Sequence, residues 1–183
     1  AITPVKFGIS FTATHFNQAG ALVHVYTDGS VLINHGGTEM GQGLHTKVCQ
    51  IVADVLGLAF SQVAISASDT AKVANASATA ASSGTDLNAR AAEHAALEIR
   101  ERLIDLLSTK ENLPRDRIVF EEGRVKSLRP DGSVFDQPFT SIVKLAYQNR
   151  VQLWSDGFYK TPKIHYDKQT LKGRPFFYFS YGA

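Results

Sequence analysis

The chain has 183 residues, 44% of them hydrophobic and 20% charged, with a formal net charge of +2. That length suffices for one domain with a real core or for two small lobes, and no run of Lys or Arg is long enough to read as a nucleic-acid stripe. A single cysteine, Cys49, excludes an internal disulfide and the usual zinc and iron–sulfur motifs, and no apolar run approaches the roughly 20 residues that span a bilayer.

Along the chain, Val5 to Thr12 alternates apolar and polar residues and reads as a strand. Ala21 to Thr27 and Val31 to His35 flank Asp28-Gly29, a hairpin signal. The glycine-rich segment Gly36 to Gly43 follows, and then Leu44, Val48, Ile51, Val52 and Val55 recur at helical spacing until Gly57. Cys49 falls in this helix and is expected as a buried core thiol. Val63 to Ser66 is a short strand. Ala74 to Thr85 has no large side chain and leads into a long helix with Leu87, Ala91, Ala95, Ile99, Leu103 and Leu106 or Leu107 on one face; Thr85 or Asp86 is a candidate cap. Arg117 to Phe120 and Arg124 to Ser127 surround a second hairpin signal at Glu122-Gly123. Thr140 or Ser141 is a candidate cap for a helix running through Tyr147. Val151 to Tyr159 and the aromatic C-terminal stretch are strand-like. The expected fold is α+β, a mixed sheet with helices packed on it, with residues 1–110 as one lobe and 111–183 as a smaller continuation.

Two segments could carry chemistry. The loop at residues 36–43 lies between a strand and a helix, and its four glycines let the backbone approach a ligand closely. A helix N-terminus behind it would suit an anionic group, although the same glycines also suit a tight structural turn, and the pattern is neither a Walker loop nor GxGxxG. The small-residue tract at 76–85 offers hydroxyls and backbone donors at a second helix start; the alternative is a flexible linker. Two such loops could clamp the two ends of one polar, anionic ligand. Glu39 is a conceivable general base, but bonding to the loop backbone is the favoured role. The six histidines have no HxxxH spacing, so no metal ligand is assigned. His94 is expected to be packed or solvated.

A lone thiol fits a reducing compartment, and Ala1 to Lys6 does not read as a signal peptide, so the expected location is cytoplasmic. The absence of an initiator Met and the exposed aromatic end suggest a piece of a longer protein.

Several segments together resemble the molybdenum domain of xanthine dehydrogenases: Lys6-Phe7-Gly8-Ile9-Ser10-Phe11-Thr12, Asn17 to Leu22, His24 to Val31, and His35-Gly36-Gly37-Thr38-Glu39-Met40-Gly41-Gln42-Gly43-Leu44-His45-Thr46-Lys47. Thr79-Ala80-Ala81-Ser82 with Asp86-Leu87-Asn88, Gly157 to Pro162, and Phe177 to Gly182 extend the resemblance over nearly the whole chain, most weakly from about 105 to 150. The first of these strands favours xanthine dehydrogenases over their aldehyde oxidase relatives, which remain the alternative. A non-catalytic assembly module and a flavin- or nucleotide-binding domain are further alternatives.

The resemblance implies part of an enzyme that oxidises hypoxanthine and xanthine to urate with water-derived oxygen, passing electrons through [2Fe-2S] clusters and FAD to NAD. It implies a molybdopterin cofactor carrying molybdenum, held by Met40, Gly41, Gln42, Thr79, Ala80, Ala81, Ser82 and Ser83, and a purine substrate placed by Phe11, Thr12 and Ala81. The implied partners are the remainder of the molybdenum subunit and an iron–sulfur/FAD subunit or domain, with no nucleic acid and no membrane. The sequence departs from the family at His15-Phe16 and at Ser83-Gly84-Thr85. It also lacks the Gly-Glu-Pro-Pro segment that carries the family's catalytic glutamate, so no catalytic residue is assigned and the chain by itself is expected to be inactive.

Overall fold

The computed structural model describes residues 1–182. In chain order the strands are β1 Thr3–Ile9, β2 Gln18–Val25, β3 Val31–His35, β4 Val63–Ile65, β5 Val119–Glu121, β6 Arg124–Leu128, β7 Val134–Pro138, β8 Trp154–Lys160, β9 His165–Asp167, β10 Lys172–Arg174 and β11 Phe176–Gly182. The α-helices are α1 Leu44–Leu56, α2 Gly84–Glu111 and α3 Phe139–Gln148.

The main sheet has the order β4-β3-β2-β8, with β3 and β4 parallel and the other neighbours antiparallel. The alternation in β2 buries Ala19, Ala21, Val23 and Val25 and turns the intervening residues outward, as a half-buried strand must. Its turn into β3 is fixed by Asp28, whose carboxylate accepts from the Ser30 backbone N–H and hydroxyl. Helix α1 stops where the sequence places Gly57, which takes a left-handed φ of 64° and donates its N–H back into the last turn. Helix α2 buries the expected apolar stripe and several further alanines, and packs on β2, β8 and α1. Small residues set how close these elements come: a Cβ on Gly157 of β8 would lie 2.0 Å from the Ala91 carbonyl oxygen of α2.

The β5-β6-β7 sheet and α3 share one apolar cluster with the main sheet and its helices. Phe120, Val125, Phe135 and Phe139 belong to the same buried set as Val23, Ile33, Ile99 and Leu103. The Glu122-Gly123 turn has left-handed φ at both positions, and Gly123 bridges the parts by donating to the Gly57 carbonyl and accepting from the Phe139 N–H.

Some sequence expectations are corrected. The first strand ends at Ile9, not Thr12: Ser10 adopts φ 106° and its N–H leaves the ladder for the Ala81 carbonyl. Phe7, an apolar residue of the alternating strand, is 44% exposed on β1, beside Tyr178 of the β11 partner strand. Helix α2 begins at Gly84 with Ser83 in the cap position, which places Thr85 and Asp86 inside the first turn. Helix α3 begins one residue before Thr140, after Pro138, a residue that ends a strand and presets helix entry. Among the described residues no helix is long and apolar enough to cross a membrane.

Candidate functional site

The glycine loop leaves β3 at His35, a residue 2% exposed. The His35 ring Nδ1 accepts the Gly37 N–H at 3.0 Å, so the neutral ring carries its proton on Nε2. That Nε2 and the Nε2 of His45 are both buried without a partner, and the two rings meet edge to face at 5.2 Å. Burial, and to a smaller extent the neighbouring His45, pushes the His35 pKa down to about 4. Two glycines are required here by close approach. A Cβ on Gly36 would lie 2.2 Å from the Ala76 Cβ, and one on Gly37 would lie 2.7 Å from the Asn88 amide nitrogen.

The tip of the loop is closed by its own side chains. One Glu39 carboxylate oxygen accepts from the Gly41 and Gly43 N–H groups at 2.9 and 3.0 Å, and the other from the His45 N–H at 3.0 Å. These donors, the His45 N–H foremost, hold the Glu39 carboxyl below its ordinary range. Gln42 accepts the Met40 N–H at 2.6 Å and donates to the Thr38 carbonyl at 2.9 Å. The first turn of α1 is therefore already occupied by a carboxylate. An anion at the α1 N-terminus would meet that carboxylate.

The small-residue tract is an ordered loop joined to the first one. Thr79 Oγ1 accepts the Thr38 N–H at 2.8 Å across 41 residues of sequence. Ala81 and Ser82 both adopt left-handed φ, 53° and 55°, which is strained for residues with a Cβ. The strain aims the Ala81 carbonyl at Ser10. Ser83 is buried and its hydroxyl donates to the Ala80 carbonyl. No side chain caps α2, so the N–H groups of Gly84, Thr85 and Asp86 lack an intrahelical acceptor. Asp86 itself places a carboxylate in this first turn.

Both loops open on one cavity of about 970 Å³, whose wall includes Met40, Gln42, Thr79, Ala80 and Ser82. Gly41, Ala81 and Ser83 do not line it; Gly41 faces open space and Ala81 turns toward Ser10. Sequence reasoning missed Lys47 and Arg90, which also line this cavity. Lys47 is a cation in the first turn of α1, where the macrodipole disfavours positive charge; that placement is a signal the sequence does carry. Asp86 shares the wall, and burial raises its pKa despite its bond from the Thr161 hydroxyl.

Phe11 and Thr12 line a second, smaller cavity of about 230 Å³ with Ser10, Tyr166 and Arg174. Phe11 is held by Asn17, whose part no spacing or periodicity marks. Asn17, 2% exposed, accepts the Phe11 N–H at 2.7 Å and donates to the Phe11 carbonyl at 3.0 Å. The two sites meet through the bond from the Ser10 N–H to the Ala81 carbonyl. Among the described residues no group of three or more His, Cys, Asp or Glu side chains is placed to hold a metal ion.

Comparison with known proteins gives this geometry a family. The chain is 46% identical over 182 residues to a xanthine dehydrogenase/oxidase of Gallus gallus and 45% identical over 183 residues to a xanthine dehydrogenase of Emericella nidulans. Each match takes in all of this chain and 12% of the relative's length. Among solved structures, quinoline 2-oxidoreductase from Pseudomonas putida 86 shares the fold with a TM-score of 0.72 at 22% identity, over 95% of this chain and 25% of that one. CO dehydrogenase from Oligotropha carboxidovorans does so with a TM-score of 0.73 at 17% identity, over 90% and 22%. The molybdopterin cofactor-binding domain model matches residues 1–183 in full, and the chain belongs to that domain family.

Proposed function

We propose that this chain forms one wall of the molybdopterin and purine sites of a xanthine dehydrogenase-type molybdenum hydroxylase. The observation that carries the reading is the junction of the two loops. The Thr38–Thr79 bond fixes them side by side, and both open on a cavity that also receives the uncapped end of α2, Lys47 and Arg90. This donor set fits a pterin bearing an anionic group. The three first-turn N–H groups and Lys47 suit the anion, with Arg90, which is ion-paired to Glu93, beside them, while Met40, Gln42, Thr79 and Ser82 offer apolar contact and polar edges to a ring system. When bound, the cofactor supplies the molybdenum chemistry, insertion of water-derived oxygen and acceptance of two electrons.

The chain's own part is positioning and exclusion. Phe11, with its backbone clamped by Asn17, presents a flat apolar wall to a planar substrate, and Thr12 lies beside it. Ala81 keeps the junction between the sites narrow and free of a large side chain. Gly41 adds backbone, and Ser83 contributes by shaping the loop through Ala80. The proton-moving carboxylate of the reaction is assigned to another segment of the parent subunit, since no Gly-Glu-Pro-Pro segment occurs here. The proposed reaction is hypoxanthine and xanthine to urate. The proposed partners are the rest of the molybdenum subunit and a part carrying [2Fe-2S] clusters and FAD that passes electrons to NAD.

Gln42→Ala in the complete subunit tests this. It opens the loop at Met40 and Thr38 by removing two exposed hydrogen bonds, each worth about 0.5–1.5 kcal/mol. Molybdenum content should drop; content and xanthine turnover both unchanged would remove the glycine loop from the cofactor site.

A further inference from the structure

We infer that Glu39 is a positioning residue of the glycine loop: its carboxylate, seated on the first turn of α1, fixes the loop for the cofactor without touching cofactor or substrate. The inference rests on the cofactor reading above. Both carboxylate oxygens are engaged, by the N–H groups of Gly41, Gly43 and His45. Glu39 does not line the cavity that Met40 and Gln42 line. Three of the roughly four acceptor sites of the carboxylate face the main chain, and the group lies off the cavity wall where a base or a ligand would be needed.

Three donors on one carboxylate matter here because of what they hold. Gly41 and Gly43 adopt φ 96° and 73°, conformations that glycine enters easily and leaves as easily. A loop with four glycines in eight residues has many alternative shapes, and ordering it when a ligand arrives costs conformational entropy. Glu39 meets that cost in advance from inside the loop, and Gln42 closes the same turn from the other side through Met40 and Thr38.

The test compares Glu39→Ala and Glu39→Gln in the complete molybdenum subunit, with Gln42→Ala as reference. The readouts are peptide-level amide exchange, bound molybdenum and pterin, and melting of the cofactor-free form. In Glu39→Ala, exchange across residues 37–47 should accelerate by about tenfold or more, the value of one charge-assisted bond. Residues 87–107 should exchange as before, the cofactor-free melt should hold, and cofactor content should fall. Glu39→Gln keeps one acceptor oxygen and should lie between. Unchanged exchange at 37–47, or faster exchange with full cofactor content, overturns the inference. So does a general loss of protection reaching 87–107, which marks a merely structural residue. If Gln42→Ala also retains full cofactor, the cofactor reading itself fails; if only Glu39→Ala does, the positioning role alone fails.

Discussion

Asn17 and Phe11 present a division of labour within six residues. A buried asparagine whose side chain replaces a strand partner for Phe11 lets the chain leave β1 after Ile9 and still hold an aromatic ring in a defined place. Phe11 is only partly buried, so its truncation should leave most of the core intact. In the complete enzyme, Phe11→Ala should raise KM or lower kcat for xanthine by more than its melting temperature accounts for. A core phenylalanine predicts the reverse, a stability loss of about 3–5 kcal/mol with normal kinetics in the folded fraction. Thermal melts and kinetics on one preparation separate these outcomes. His35 makes a second prediction. It faces His45 of α1, which in turn has Glu39 over its backbone N–H. The His35 pKa is lowered from 6.5 to about 4 in the folded state, so the unfolded chain binds its proton more readily. The stability it preserves is whole above about pH 6.5 and is lost as pH falls through about 4, on the order of 3 kcal/mol. Protonation also removes the acceptor for the Gly37 N–H. Melting between pH 7 and 4 should therefore fall more steeply in the parent protein than in His35→Gln; parallel slopes would refute this.

At the scale of elements, the arrangement depends on how closely α2 can lie on β8. Gly157 offers no side chain to the Ala91 carbonyl or to the Ala95 backbone nitrogen, which a Cβ would approach to 2.0 and 2.7 Å. Both of those atoms are backbone, so the only relief is to move the helix. Gly157→Ala should cost about 1–3 kcal/mol, as overpacking does, and should shift the α2 N-terminus that faces the cavity; a melting temperature unchanged by the substitution would contradict the packing account. This contact explains what could be read from sequence and what could not. The stripe from Leu87 to Leu107 marks α2 by its period, and the β2 alternation marks a half-buried strand, because burial on one face writes itself into the order of residues. β9 and β10 carry almost no such mark. Their residues are exposed apart from Tyr166, and their pairing of His165 with Arg174 and Asp167 with Lys172 is a property of register alone. The end of β1 departs from the sequence pattern for a related reason: alternation continues through Phe11 and Thr12, while the turn at Ser10 is set by Ala81, distant in sequence.

In the whole molecule, one apolar cluster joins the main sheet, α1, α2, α3 and the β5-β6-β7 sheet, and the candidate site lies where the loops around that cluster converge. The two loops were legible as glycine- and alanine-rich interruptions before helices. Their union through Thr38 and Thr79 was not, nor was the seat of Glu39 on the α1 N-terminus; both depend on side chains folding back onto backbone. The β1–β11 pair leaves Phe7, Tyr178, Phe179 and Tyr181 exposed, consistent with a chain that spans 12% of its curated relatives' length. The cofactor is proposed to lie between the two loops. Anomalous scattering from molybdenum in crystals of the complete, loaded subunit tests it most directly. The account predicts a metal peak and adjoining pterin density at the cavity walled by Met40, Gln42, Thr79 and Ser82, with an anionic group on the Gly84–Asp86 N–H groups. A metal peak and pterin density remote from both loops, with these residues folded as described, would contradict it.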